Sequence, residues 1–532
     1  MKKIKVFAIA LTAVLTAGLA SSCVKDLDVT PIDPNTVLPE DILCDQAAFT
    51  SLLAKCYQGL CCSGSWGEGG DPDIKGVDGG YGQYMRAIVN LQELTTDVMT
   101  CCWNDGNLFD LHNMCWNASN EFILAMYYRI FYQISQCNEL IRQSKSTTIS
   151  GYDNKEAYIA EARALRLYSY YNAIDMFANV PFTDENSSVG SNGGEQYERA
   201  KLFDWMVEEA QDLLSDAALA EPGKNVYGRC DKGLVQMILA KLYLNAKVWK
   251  GEEMYDKCAE VCEKIIAEYP LHSNYADLFA ADNHLFTANT TYNGDEIIFA
   301  AMQDGISVRS YGSTNFLVFA FTFSVTGDSA DRIMDVSTMG ISSGWSGLSL
   351  TGAFTSKFGD SDARAMFFKG GFAQYIDEIR DQLGGSNGWK SMKFRNINHD
   401  GSAAQQQGFV DNDFPVFRSA DAYLMYAECA ARGKADNSKG QQYLNAVSNR
   451  AGAGNLSLTL DNIIDERARE LYLEGFRRQD LVRFGLFTTS DYKWEFKGGV
   501  QAGQPVDDKY NIFPITAGDL NANGNLVQNP GY

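Results

Sequence analysis

The sequence predicts a mostly α-helical fold built from tetratricopeptide-like helix pairs, with an irregular region set among them. Three observations lead there. First, the stretches 158–171, 233–246 and 419–432 place alanines and tyrosines at helical spacing, a pattern that lets neighbouring helices approach closely. Second, the middle stretch is followed by Tyr255 to Tyr269, with Ala259, Cys262, Ile265 and Ile266 on one face, and Pro270 stops it. Helix, turn, helix and proline over about 34 residues is the tetratricopeptide signature. The other two stretches pair with Leu202 to Leu214 and with Gln441 to Arg450. Third, Ala276 to Phe417 is rich in Gly, Ser, Thr and Phe, so the array is interrupted rather than continuous.

The remaining elements follow in chain order. Lys2, Lys3 and Lys5 precede the apolar run Ile4 to Leu19, and Ala20-Ser21-Ser22-Cys23 follows it. This is the order of a secretory signal peptide, residues 1–22, with an apolar run short of the roughly 20 residues a span needs. A cysteine directly after small residues resembles a bacterial lipidation box, which makes Cys23 the expected lipid attachment point. Residues 23–43, with Pro31, Pro34 and Pro39 among polar side chains, read as an extended tether, and 44–532 as a single domain. Within it we expect helices at Asp45 to Leu60, Met85 to Leu94 and Glu121 to Ser144, with a glycine-rich loop from Gly64 to Gly82. The helical repeats cover about 121–270 and 419–485. Glu296 to Ala301 and Asn315 to Val325 read as strands, the second alternating Phe and Thr. Gly340 to Gly352 reads as loop, and the tail from Tyr510 as a surface wrap.

Composition narrows the partners. The formal net charge is -22, and such a surface repels phosphates, which excludes nucleic acid as a partner. Of the 13 cysteines, Cys61-Cys62 and Cys101-Cys102 are adjacent, while Cys258 and Cys262 lie one helical turn apart and read as buried small hydrophobes. Export permits disulfides, and the spacing leaves their redox state open. The cysteines contain no C-x-x-C pair, so a structural zinc site has no support.

Five stretches carry a resemblance: SSCVKDLDVTPIDP from Ser21 to Pro34, EARALRLYSYYNAIDMFANVPF at 161–182, DEIIFAAMQDG at 295–305, ERARELYLEGFRRQDLVRFG at 466–485 and YNIFPITAGDLNANGNLVQNPGY at 510–532. Over nearly its whole length the chain resembles the SusD-like (SusD/RagB) nutrient-binding lipoproteins of Bacteroidetes, and among these the starch-binding branch. The resemblance implies about four tetratricopeptide-like helix pairs cradling an irregular α+β glycan-binding region, here the insertions at about 64–118 and 276–417. It implies a non-catalytic protein without a required cofactor, lipid-anchored on the outer face of the outer membrane. Its partners would be starch or other α-glucan oligosaccharides and a SusC-like TonB-dependent transporter. Lys25-Asp26, just after Cys23, resembles the acidic export signal of such lipoproteins.

Sugars lay their C–H faces on flat aromatic rings and hydrogen-bond around their edges, so a glycan site needs accessible Trp or Tyr with Asp, Asn or Arg beside it. Trp345 lies in Ser343-Gly344-Trp345-Ser346-Gly347, Tyr311 in Arg309-Ser310-Tyr311-Gly312-Ser313, and Trp103 before Asn104-Asp105-Gly106-Asn107. Residue type alone leaves core packing and ligand contact equally open for all three. The resemblance places them on the aromatic arc of the starch-binding branch. It likewise implies that Asp78 and Arg86 contact sugar hydroxyls, beside plainer readings as a turn residue and a helix-start ion pair. Asn107 is a further candidate on an ambiguous stretch of the alignment. Asp411 and Asp413 are candidates to help hold a structural calcium, beside a reading as a solvated turn.

Other motifs fail on context. Gly340-Ile341-Ser342-Ser343-Gly344 fits G-x-S-x-G but lacks a strand before it and a helix after it, and only His399 of the four histidines follows. Asp71-Pro72-Asp73-Ile74-Lys75-Gly76 opens like an EF-hand, yet Lys75 and Gly82 stand where oxygen ligands belong. Glu466 to Arg483 reads as an ion-paired helix packed on its neighbours. The rivals to glycan binding are a tetratricopeptide scaffold for proteins, a binder of a different glycan, and a surface glycoside hydrolase.

Overall fold

A computed structural model describes residues 42–188, 193–226, 228–286, 296–324, 332–379 and 387–532. The signal peptide, Cys23 and the tether as far as residue 41 lie outside the described residues. One small unit holds residues 42–49 and 149–153, where Phe49 stacks on Tyr152 with ring centroids 4.5 Å apart. The second unit holds the rest of the described chain.

The main helices are α1 (Gln46–Cys61), α2 (Tyr84–Gln92), α3 (Glu121–Ser146), α4 (Lys155–Phe177), α5 (Arg199–Ser215), α6 (Lys232–Trp249), α7 (Tyr255–Glu268), α8 (Ser313–Phe321), α9 (Ser419–Ala431), α10 (Asn437–Arg450), α11 (Leu460–Leu471) and α12 (Arg477–Arg483). Successive neighbours pack along α3–α4–α5–α6–α7, α9 packs on α10, and α7 meets α9 across the long insertion. All three expected pairings form. The alanines that marked them are buried, Ala160, Ala162 and Ala164 on α4 and Ala420, Ala422 and Ala427 on α9. Asp231 caps α6 by accepting from the Gly233 N–H at 2.8 Å. A side chain at Gly233 would strike the Tyr269 hydroxyl at the end of α7, so glycine permits this close approach.

Short antiparallel strand pairs occupy the insertions. The strand expected at 296–301 forms as β2 (Ile297–Ala301). The others that matter here are β1 (Met99–Cys101), β3 (Leu348–Leu350) and β4 (Phe414–Arg418). β1 pairs with β3, Thr100 opposite Ser349, and β2 pairs with β4.

Two expectations are corrected. Of the strand expected at Asn315 to Val325, Val325 lies outside the described residues, Asn315 to Phe321 belong to α8, and Thr322 to Ser324 form no strand; the leading N–H of α8, on Ser313, donates to Gln83 Oε1 at 2.9 Å. Phe316, Leu317, Val318, Phe319 and Phe321 are all buried, and a helix buried on every side shows no one-faced period. The charged segment 466–483 is likewise not one helix. It breaks between α11 and α12, where Leu473 and Gly475 take positive φ; its charges are ion-paired against its neighbours, as expected, and most of them are buried.

That burial forms a network. Arg418 bonds Glu296, Glu470 and Glu474; Arg450 bonds Glu296 and Glu470; Arg364 bonds Asp362, Glu466 and Glu470; Lys393 bonds Glu474. Burial alone would push the Glu470 carboxyl up, but the guanidinium groups of Arg450, Arg418 and Arg364 hold it well below the usual range. The network ties β4, α10 and α11 to the insertion that carries the site. In the tail, Tyr532 accepts from Trp116 Nε1 at 2.8 Å and Phe513 is buried, while Val527 lies exposed, so the tail runs along the surface with Phe513 and Tyr532 as anchors in the body.

Candidate functional site

Five of the six sequence candidates meet at one cleft of about 490 Å³. Asp78, Arg86, Trp103, Tyr311 and Trp345 line it, together with Glu68 and four glycines of the 64–82 loop. The β1–β3 register does much of this. Trp103 follows β1 by two residues and Trp345 precedes β3 by three; Cys102 N–H donates to Gly347 O at 3.0 Å, continuing the ladder. The two indoles therefore stand side by side, with centroids 6.3 Å apart and planes at 49°.

Helix α8 places the third ring. Tyr311 leads into its N-terminus, while the Trp345 N–H donates to Phe319 O at 2.7 Å and the Gly347 N–H to Ala320 O at 2.8 Å. Tyr311 thus faces Trp345 with centroids 6.0 Å apart and planes at 59°. Phe319 backs Trp345 at 5.1 Å, Phe316 backs Trp103 at 6.0 Å, and Phe409 backs Tyr311 at 5.5 Å. Three rings held by a second layer of rings lose little conformational freedom when a ligand arrives.

The glycines keep the cleft open. A side chain at Gly347 would overlap the Trp103 indole at 2.3 Å. One at Gly80 would sit 3.0 Å from Asp78 Oδ1 and 3.1 Å from Arg86 Nη1, and one at Gly69 would meet the Tyr311 ring at 3.2 Å.

Two polar groups border the rings. Arg86 lies in the first turn of α2, lies over Phe316 at 4.2 Å, and donates from Nη1 to Tyr311 O at 3.0 Å. Burial draws its guanidinium down to about 10, still charged at neutral pH. Its bond goes to a backbone carbonyl rather than to the ion pair considered from sequence. Asp78 is exposed; its Oδ1 accepts from the Gly80 N–H at 2.7 Å and the Tyr81 N–H at 3.3 Å, so the turn reading holds for a residue that also lines the cleft. A carboxylate accepts from two hydroxyls and a guanidinium fork donates to two oxygens, the functions a sugar edge presents.

Asn107 stands apart from the cleft lining. Its Oδ1 accepts from the Glu121 N–H at 3.0 Å and its carbonyl from Asn120 Nδ2 at 3.0 Å, which secures the start of α3. Asp411 and Asp413 are not in a solvated turn either. Both are buried beside a separate cavity of about 510 Å³. Asp411 accepts from the Gln405 N–H and Asp413 from the Gln303 N–H. Burial pushes the Asp413 carboxyl up to about 8. Calcium takes roughly six to eight oxygens, with ionised carboxylates among them. Among the described residues no three His, Cys, Asp or Glu side chains gather as a metal cage, but Asp411 Oδ1 and Asp413 Oδ2 are buried without a hydrogen-bond partner in the structure, and Asp282 and Asp304 line the same cavity, oxygen donors of the kind calcium takes.

Residue-type reasoning missed Glu68 and the glycines around it. The signal lay in the run Gly64-Ser65-Trp66-Gly67-Glu68-Gly69-Gly70, which has the composition of a loop allowing close backbone approach. All twelve described cysteines are free thiols, and Cys258 and Cys262 are buried as expected. Among the described residues no helix is long and apolar enough to cross a membrane.

Fold and cleft together define a helical-repeat protein whose insertions build a three-ring, hydroxyl-matching groove. Known proteins share this design. The SusD family profile matches residues 373–532. The starch-binding protein SusD of Bacteroides thetaiotaomicron is 32% identical over 99% of this chain and 98% of its own length. The surface glycan-binding protein A of Bacteroides uniformis superposes with a TM-score of 0.69 at 20% identity, covering 91% of this chain and 99% of that one. The protein of the same name from B. thetaiotaomicron, solved in complex with laminarihexaose, gives 0.65 at 20% identity and the same coverage. The chain belongs to the SusD family, whose named relatives here are binding proteins and not enzymes.

Proposed function

We propose that this protein binds starch-type α-glucan at the cell surface without cutting it and hands the oligosaccharide to a SusC-like TonB-dependent transporter. Lipid on Cys23 would hold it at the outer membrane. The observation that carries the reading is the convergence of Trp103, Tyr311 and Trp345 from separate insertions onto one cleft beside Asp78 and Arg86. Their planes tilt by 49° and 59° from one ring to the next. A tilted series follows a coiled glucan, whose apolar faces curve, better than a flat cellulose chain. The full-length relative named for starch binding points the same way.

The cleft's acids argue against hydrolysis. Among the described residues, Glu68 and Asp78 are the carboxylates that line it. Glu68 pairs with Arg309 at 3.3 Å and Asp78 accepts from two backbone N–H groups, whereas a glycosidase needs one acid free to give a proton and a second facing it across the bond. The test is affinity electrophoresis of the mature protein through gels containing amylopectin, laminarin or soluble cellulose, with a reducing-end assay on the starch. Retardation by amylopectin alone, without new reducing ends, is expected. Retardation by cellulose or laminarin to the same degree refutes the α-glucan reading, and released sugar refutes the non-catalytic one. Recovery of a TonB-dependent barrel with the protein in mild detergent tests the delivery step.

A further inference from the structure

Trp66 is 73% exposed, whereas the seven other tryptophans are buried or half-buried. Its chain surroundings share the composition, though not the order, of those of Trp345: Ser63-Gly64-Ser65-Trp66-Gly67 against Ser343-Gly344-Trp345-Ser346-Gly347. Neighbours of this kind supply no apolar surface to cover an indole; a lone exposed ring is ordinary by itself, and what distinguishes Trp66 is its place two residues from the cleft wall.

The loop that bears Trp66 is clamped at its root. Gly64 bridges Pro72, the Asp73 N–H donates to Ser63 O at 3.0 Å, and Lys55 donates to Ser65 Oγ at 3.0 Å while pairing with Asp73 at 2.6 Å. Two residues beyond Trp66 the same loop becomes cleft wall. Glu68 lines the cleft and pairs with Arg309, whose guanidinium lies over Phe409 at 5.3 Å, the ring that backs Tyr311. The loop tip is thereby tied to the ring series on one side and holds out an uncovered indole on the other. Between them Gly67 takes φ +63 with open space around it, which turns the chain from rim to wall.

We infer that Trp66 is a fourth sugar platform at the rim, taking a hexose ring of the same neutral polysaccharide beyond those held by Trp103, Tyr311 and Trp345. This rests on the glycan reading proposed above. A ring outside the cleft meets only chains long enough to leave it, so Trp66 discriminates by length. An indole stacked on a pyranose face contributes apolar contact whatever the hydroxyl pattern at the edge.

Isothermal titration of the mature protein with maltotriose and with maltoheptaose tests this. Trp66→Ala should weaken maltoheptaose binding about tenfold, the weight of one aromatic anchor, and keep maltotriose within about twofold of the parent. Trp66→Phe should restore most of the loss, and the melting temperature should not move. Maltoheptaose bound by Trp66→Ala as tightly as by the parent overturns the inference and leaves the ring to a protein contact instead. Equal losses for both sugars overturn it as well, since they would mean a distorted cleft. A parent that binds neither sugar defeats the α-glucan reading itself, a result distinct from either.

Discussion

Replacing Arg418 by Met should destabilise the protein strongly while leaving the cleft's own residues untouched. Arg418 is fully buried and uses its whole guanidinium. Nε reaches Glu474 Oε2 at 2.7 Å, Nη1 reaches Glu296 Oε1 at 2.8 Å and the Glu470 carboxylate, and Nη2 reaches Glu474 Oε1 at 2.8 Å and Glu470 O at 2.6 Å. Methionine fills similar space but donates nothing. Glu296 and Glu470 keep Arg450, and Glu474 keeps Lys393 at 2.7 Å, so no carboxylate is stripped of every cation. Glu470 also keeps Arg364, which it shares with Asp362 and Glu466. The three carboxylates nevertheless face three cations instead of four, and because Arg364 is already matched by its other acids, one buried negative charge is left in excess. Breaking a buried pair costs about 3–5 kcal/mol, and the stranded Glu470 carbonyl about 1 kcal/mol or more. Partial compensation by Arg450 and Lys393 brings the net to about 4 kcal/mol at pH 7. Equilibrium urea unfolding followed by tryptophan fluorescence measures it. A loss below about 1 kcal/mol would refute the reasoning, because it would mean that the network is not ionised as its geometry requires.

The same network sets an acid limit. Glu470 has its carboxyl pulled below the ordinary value, so its contribution is full above about pH 4.3, the unfolded value for glutamate, and is lost as pH falls through the folded value. The gap between parent and Arg418→Met should therefore narrow between pH 7 and pH 4, as the surplus carboxylate takes a proton; a constant gap counts against the assignment. Trp345→Ala should weaken amylopectin binding by about 1–3 kcal/mol, and Asp78→Ala by less, because Asp78 spends one oxygen on its own turn; circular dichroism should stay at the parent's, and unchanged gel retardation of a folded Trp345→Ala would move the site elsewhere. Gly347→Ala should also impair binding, since its methyl group enters the space of the Trp103 indole, and normal affinity in titration would show that the indole has room to move. Cys23→Ala should release the protein from salt-washed membranes, as fractionation and immunoblotting would detect.

What the sequence by itself determined is what short-range physics writes locally. The 3.6-residue period of α4, α6, α7 and α9, the stop at Pro270, and the loop character of 340–347 each depend on neighbours within a few positions, so the repeats and the loop setting of Trp345 were legible. The site residues were legible through the motifs shared with the SusD family, not through their types. Tertiary structure alone decided the rest. Helix α8 hid because burial on all sides erases its period. Asn107 went to the start of α3 because Glu121, fourteen residues on, offers an N–H there. The charges of 466–483 read as an ion-paired helix packed on its neighbours, but which groups pair with them was not legible: Glu296, Arg364, Lys393, Arg418 and Arg450 come from five distant stretches, and only folding brings them together where water is excluded and each charge must be matched. The cleft has the same origin. Trp103 and Trp345 lie more than two hundred positions apart, and it is the β1–β3 register, held by hydrogen bonds that no local pattern announces, that sets their rings at the spacing and tilt a curved ligand can follow.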